Sequence, residues 1–150
     1  MGDATMYSIE ELVPHTGRMC LLDRVIEAAD QHLVAEVTIR ADGLFAEDGE
    51  VGAWVGIEYM AQAVAAWAGW RARVQGGAPK IGLLLGTREY RCTVARFHAG
   101  QCLTISIRRE FLADNGLGQF QCSIRDGDVE LVAVALNVFE PDDPSEFLRL

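Results

Sequence analysis

Between Ala53 and Trp70 the chain reads Ala-Trp-Val-Gly-Ile-Glu-Tyr-Met-Ala-Gln-Ala-Val-Ala-Ala-Trp-Ala-Gly-Trp, an apolar run of mostly small residues carrying one acid, Glu58. The run predicts one long helix, and the acid inside it is the strongest constraint in the sequence. Burying an ionised carboxylate costs several kcal/mol, so on the most hydrophobic helix Glu58 is expected to be paired, solvated through a cavity, or functional. The plainer alternative is a good helix former projecting from an exposed stripe.

The 150 residues are half hydrophobic and contain no low-complexity tract, which bounds the chain to one globular domain over 1–150. Asp3 and Glu10 stand where a basic-then-apolar leader would begin, so a cytoplasmic protein without a targeting segment is expected. Glu58 and the glycines interrupt the apolar helix and argue against a membrane span. Cys20, Cys92, Cys102 and Cys122 form no C-x-x-C pair, and His15, His32 and His98 show no ligand spacing, so reduced cysteines and no metal site are expected. A net charge of −9 opposes general nucleic-acid binding. Arg88, Arg91 and Arg96 are the one cluster able to form a local basic patch.

Met19–Ile26 and His32–Ile39 read as two strands of a hairpin, followed by an acidic, glycine-containing loop over Asp42–Gly52. Gly76-Gly77-Ala78-Pro79 ends the helix. Four further strands are predicted over 81–94, 101–113, 117–125 and 129–139. The turns at Ala99-Gly100, Asp114-Asn115-Gly116 and Asp126-Gly127-Asp128 suggest an antiparallel meander. Leu103, Ile105 and Ile107 alternate with Thr104, Ser106 and Arg108, as in a sheet with one buried face. A polar tail begins at about residue 140. The order of two strands, one long helix and four strands is an α+β arrangement in which the sheet wraps the helix.

That order resembles the hot-dog fold. Leu12-Val-Pro-His-Thr-Gly-Arg-Met-Cys-Leu-Leu-Asp-Arg-Val25 and Glu58-Tyr-Met-Ala-Gln62 are similar to the Pro-His opening and the acidic helix motif of FabZ-type 3-hydroxyacyl-[acyl-carrier-protein] dehydratases. Leu85 to Gly100 is a weaker third match. Within that family, Trp54-Val-Gly-Ile-Glu-Tyr-Met-Ala-Gln-Ala-Val64 most resembles the ApeP-like branch, associated with aryl polyene biosynthesis. The resemblance implies a dehydratase acting on an acyl-carrier-protein or CoA thioester without a cofactor, working as a homodimer or larger assembly, or as a heterodimer with a second hot-dog subunit.

The family places a catalytic histidine in a Gly-His-Phe-Pro segment just before the helix, but the corresponding stretch here, Gly43-Leu-Phe-Ala-Glu-Asp-Gly-Glu-Val-Gly52, has no histidine. Removing an α-proton and protonating a leaving hydroxyl needs two groups of separated proton affinity. Glu58 is one candidate, and His15 is the natural second, its ring expected about 5–8 Å from a Glu58 carboxylate across one bridging substrate. The alternative for His15 is a loop-fixing backbone hydrogen bond. Free N–H groups near Gly52, Ala53 and Gly56 are candidates to hold a thioester oxygen, although small residues there equally permit close packing. Gln62, one turn after Glu58, shares its face. Trp54 is a candidate for lining an acyl pocket, and Arg88, Arg91 and Arg96 for meeting a carrier protein or its phosphate. Three functions remain open on these residues: dehydratase, hot-dog thioesterase with Glu58 activating water, and a non-catalytic partner of an active dehydratase.

Overall fold

The computed structural model describes residues 7–76 and 83–139. Six strands form one antiparallel sheet: β1 (Arg24–Ala28), β2 (His32–Thr38), β4 (Leu83–Cys92), β6 (Cys102–Leu112), β7 (Leu117–Asp126) and β8 (Val129–Phe139). They lie in the order β1-β2-β6-β7-β8-β4. A pair formed by β3 (Glu50–Gly52) and β5 (Arg96–His98) makes a second, two-stranded sheet. The long helix α2 (Gly56–Val74) lies on the larger sheet against β2, β6 and β7, and a short helix α1 (Ile9–Leu12) packs on α2. The arrangement is α+β, as the element order predicts.

Alternation in the strands sets which face meets the helix. Leu33, Ala35 and Val37 of β2, Leu103, Ile105 and Ile107 of β6, and Phe120, Cys122 and Ile124 of β7 are all buried. Each fully buried aliphatic side chain contributes about 1.5–3 kcal/mol, so this face is where the fold is held. On α2, Met60, Ala63, Ala66, Trp67 and Trp70 are buried at the three- and four-residue spacing of one helical face. Trp67 also donates its indole N–H to the Ala29 carbonyl at 2.9 Å, tying the helix to the β1–β2 turn. Small residues let the layers close. A side chain at Gly56 would meet Ile124 Cδ1 at 2.8 Å, and one at Gly69 would overlap the Leu12 carbonyl of α1.

Three expectations change. The first strand begins at Arg24 rather than Met19, because Gly17–Met19 form a 3₁₀ turn and the next residues bond to a helix side chain instead of a strand. The last four predicted strands are not a simple meander. Only β6, β7 and β8 run as consecutive neighbours, while β4 pairs with β8 and β6 pairs with β2. The stretch Asp42–Gly52 is not wholly a loop, since Asp48 and Gly49, with φ of 53° and 76°, turn the chain back so that Glu50–Gly52 can pair with β5. The tail from about residue 140 and the breaker residues Gly77-Ala78-Pro79 lie outside the described residues.

Candidate active site

Glu58 stands in the first turn of α2, half-buried, and His15 reaches it from the loop that follows α1. His15 Nε2 lies 3.6 Å from Glu58 Oε1, with 28% of the imidazole and 39% of the carboxylate side chain exposed. The separation is shorter than the expected 5–8 Å. One buried amide holds both the carboxylate and the loop that carries the imidazole. The other ring nitrogen, Nδ1, is sealed from solvent without a hydrogen-bond partner among the described residues, so the loop-fixing backbone hydrogen bond is not the arrangement found.

Gln62 is the clamp. Its side chain is completely buried, accepts the Leu21 N–H at 2.9 Å, and donates to the Met19 carbonyl at 2.7 Å and to Glu58 Oε1 at 3.3 Å. One amide thus fixes the loop carrying His15 to the helix and holds the carboxylate one turn away. The chain before His15 is pinned as well, because Leu12 and Val13 are buried and Arg73 donates to the Glu11 carbonyl at 2.8 Å.

At the start of the helix the geometry differs from the sequence reading. The Ala53 N–H donates to the Ala95 carbonyl at 2.9 Å, and the Gly56 N–H to the carbonyls of Ala53 and Trp54. Neither is the free donor expected for a thioester oxygen, because the chain enters α2 through a 3₁₀ turn over Ala53–Val55 that occupies them. Gly52 is small because the Trp54 indole folds over it. Trp54 itself is 66% exposed and meets Phe45 edge-on at 5.7 Å between ring centroids.

A cavity of about 430 Å³ opens beside this site, between the loop over residues 17–23, the end of β2 and the segment that follows it. Buried Val37, Ile39 and Val51 line it, with Leu44 and Phe45 of the segment where the family histidine is missing. Trp54 is not among its lining residues. Sequence reasoning passed over Tyr59, which lines the cavity one residue after Glu58, and over Arg18 and Arg40, its exposed cationic lining. The signal for Tyr59 was a hydroxyl beside Glu58 in the mostly small and apolar first half of the helix.

The other candidates are dispersed. Arg88 and Arg91 are exposed on β4, whereas Arg96 lies on β5 and pairs with Glu50 at 3.3 Å. His32 has Glu27 at 3.5 Å and the exposed His98 has Glu50 at 3.9 Å, so each faces its own acid. Among the described residues no cluster of His, Cys, Asp and Glu is arranged to hold a metal ion. No helix there is long and apolar enough to cross a membrane.

Comparisons with known proteins bear on the family and the fold. A model of the ApeP-like family, described as ApeP dehydratase, matches residues 7–149. The dehydratase heterocomplex ApeI:P from Xenorhabdus doucetiae contains a chain 32% identical to this one, covering 96% of this chain and 99% of its own, with a TM-score of 0.86. A hypothetical thioesterase with coenzyme A from Streptococcus pneumoniae TIGR4 is similar at 10% identity over 78% of this chain and 86% of its own, with a TM-score of 0.62. Zebra fish thioesterase superfamily member 2 is similar at 14% identity, over 85% and 86%, with a TM-score of 0.63. At such identities the two thioesterases speak to the fold alone. A comparison with curated proteins returns no match. With a hot-dog sheet wrapped on one helix and a family match spanning nearly the whole sequence, the chain belongs to the ApeP-like dehydratase family.

Proposed function

We propose that the chain dehydrates 3-hydroxyacyl thioesters to trans-2-enoyl thioesters, with Glu58 and His15 sharing one proton. The contact between His15 Nε2 and Glu58 Oε1 at 3.6 Å carries this reading. Substrate entry parts the two groups and places C2 against the imidazole and the 3-hydroxyl against the carboxyl. Neutral His15 takes the C2 proton through Nε2, the C2–H electrons form the double bond, the C3–O bond breaks, and protonated Glu58 gives its proton to the departing hydroxyl as water. Imidazolium and carboxylate remain. After release they exchange the proton across their own contact, which restores the starting form without an external acid or base.

During this cycle Nδ1 of His15 carries a hydrogen, and a buried N–H without an acceptor costs about 1–3 kcal/mol. The single chain offers none among the described residues, so the reading includes an acceptor from a second subunit or from the bound thioester. A second hot-dog subunit is also supported by the edge of β4, which among the described residues pairs with β8 alone, and by the exposed Leu44, Phe45 and Trp54 near the helix start. The similar ApeI:P structure is a heterocomplex, which favours a heterodimer over a homodimer. The substrate is held on acyl carrier protein or CoA in the cytoplasm, and exposed Arg88 and Arg91 are the side chains we assign to the acidic carrier or its phosphate, with Arg96 secondary because Glu50 already occupies it.

One observation favours a second reading. The stretch Gly43–Gly52, which corresponds to the family's histidine segment, has no histidine, as expected of a subunit that completes a partner's site without reacting itself. Intact-mass analysis after incubation with 3-hydroxyacyl carrier-protein thioesters separates the readings. Loss of water from the acyl group supports dehydration, loss of the acyl group points to a thioesterase, and no change without a partner subunit supports the non-catalytic role.

A further inference from the structure

The face of the six-stranded sheet opposite α2 carries a groove of its own. Ala35, Leu103, Ile105 and Ile124 are buried toward the helix, so the residues that alternate with them along β2, β6 and β7 stand on the outer face. Strand register sets these in line. Ser106 lies opposite Ser123, Ser123 opposite Ala133, and Ala133 opposite Arg91 of β4, while Arg108 lies opposite Gln121 in the next row. The small side chains form a half-buried floor, and the exposed Arg91, Arg108 and Gln121 rise beside it. The groove has a volume of about 430 Å³, within the range of small-molecule sites.

The two acids of the groove are occupied and its two arginines are not. Glu27 and Glu130 line it as well, but each already faces a partner, His32 Nε2 at 3.5 Å and Arg125 Nη2 at 3.7 Å. The guanidinium groups of Arg91 and Arg108 have neither an ion pair nor a hydrogen bond among the described residues. A solvated arginine on a strand is ordinary; here two of them share one groove with two hydroxyls and an amide. Because β7 and β8 separate β6 from β4, three strand spacings, about 14 Å, lie between the two arginines across the sheet. Long side chains from both sides of that span line the same space, which suits a ligand with more than one anionic group. The unpaired polar groups around the floor all donate: two guanidinium forks, the Ser106 and Ser123 hydroxyls and the Gln121 amide. That set exceeds what the two oxygens of one carboxylate accept and matches the oxygens of a diphosphate.

We infer that this groove is a second ligand site, which takes the diphosphate group of a small molecule between Arg91 and Arg108. The helix that carries Glu58 lies against the other face of the sheet, so the ligand is not the one that reacts there. The site goes beyond the proposed dehydration and shares only Arg91 with the residues assigned to the carrier. With a net charge of −9 the chain offers polyanions little general attraction, so binding here depends on these two side chains rather than on the field of the whole molecule.

The test is calorimetric titration of the full chain with inorganic pyrophosphate, ADP and succinate. Wild-type protein is expected to bind both diphosphates more tightly than succinate. Tighter binding of ADP than of pyrophosphate identifies a nucleotide as the source of the group, and binding no tighter identifies a free diphosphate; either supports the site. Arg91→Gln and Arg108→Gln, at exposed positions where substitution leaves the fold in place, are each expected to weaken both diphosphates about tenfold or more. Arg24→Gln makes the same change of net charge outside the groove, where Arg24 pairs with Glu36, and is expected to bind as wild type. Glu58→Gln is expected to do the same. Failure of the wild type to bind, succinate binding as tightly as the diphosphates, unaltered affinity in either groove variant, or an equal loss in Arg24→Gln or Glu58→Gln overturns the inference.

Discussion

Glu58 and His15 come from opposite ends of a 43-residue separation, and Gln62 is the side chain that makes them neighbours. Replacing Gln62 by Leu removes an acceptor for the Leu21 N–H and a donor for the Met19 carbonyl, so a loss of about 1–3 kcal/mol for each group left unpaired is expected by chemical denaturation. Turnover should fall with it, since the His15 loop loses its anchor. Glu58→Gln keeps the shape and removes the proton, and is expected to lower turnover about 10²–10⁴-fold with stability unchanged or raised. Tyr59 adds a pH signature. Its folded-state value of about 12 lies above the unfolded value of about 10, so the stabilisation is complete below pH 10 and is lost as pH rises toward 12. Tyr59→Phe should flatten that part of an alkaline denaturation profile, whereas an identical profile would show that the phenol is not buried. Glu58 was legible in the sequence because a lone acid in an apolar helix is conspicuous. Its contact with His15 was only partly so, because the spacing of Gln62 shows a shared face with Glu58 but not the loop that its amide captures.

At the level of elements, α2, β2 and the strands after residue 100 were readable because their periodicity and turn residues agree. The first strand was misplaced for a local reason: Cys20, Leu21 and Leu22 look like a strand, yet Gln62 and a 3₁₀ turn claim the backbone before β1 begins. The pairing of β4 with β8 was not legible either, since neighbouring strands in sequence suggest a meander and only packing around α2 decides otherwise. Close packing of α1 on α2 yields a direct test. Gly69→Ala forces a methyl group into the Leu12 carbonyl, and a loss of about 1–3 kcal/mol is expected in thermal or urea unfolding. An unaltered midpoint would mean that α1 does not rest on the helix at Gly69. Because α1 leads into the His15 loop, the same variant should also reduce turnover.

For the whole molecule, the proposed assembly of two hot-dog subunits predicts that light scattering at micromolar concentration gives at least a dimer, alone or with its partner. A monodisperse monomer that retains full activity would remove the second subunit from the account. The fold divides the three arginines grouped in the sequence, with Arg88 and Arg91 on β4 and Arg96 on β5 of the other sheet, so the carrier role proposed for them rests on Arg88 and Arg91. Everything turns on whether the acid–imidazole contact in this chain performs the elimination. The most direct measurement is intact-mass analysis of a 3-hydroxyacyl carrier-protein thioester incubated with wild type, Glu58→Gln and His15→Ala, each in the assembled protein. The account predicts loss of one water with the wild type and retention of the 3-hydroxyacyl group with both folded variants; dehydration at the wild-type rate in either variant would contradict it.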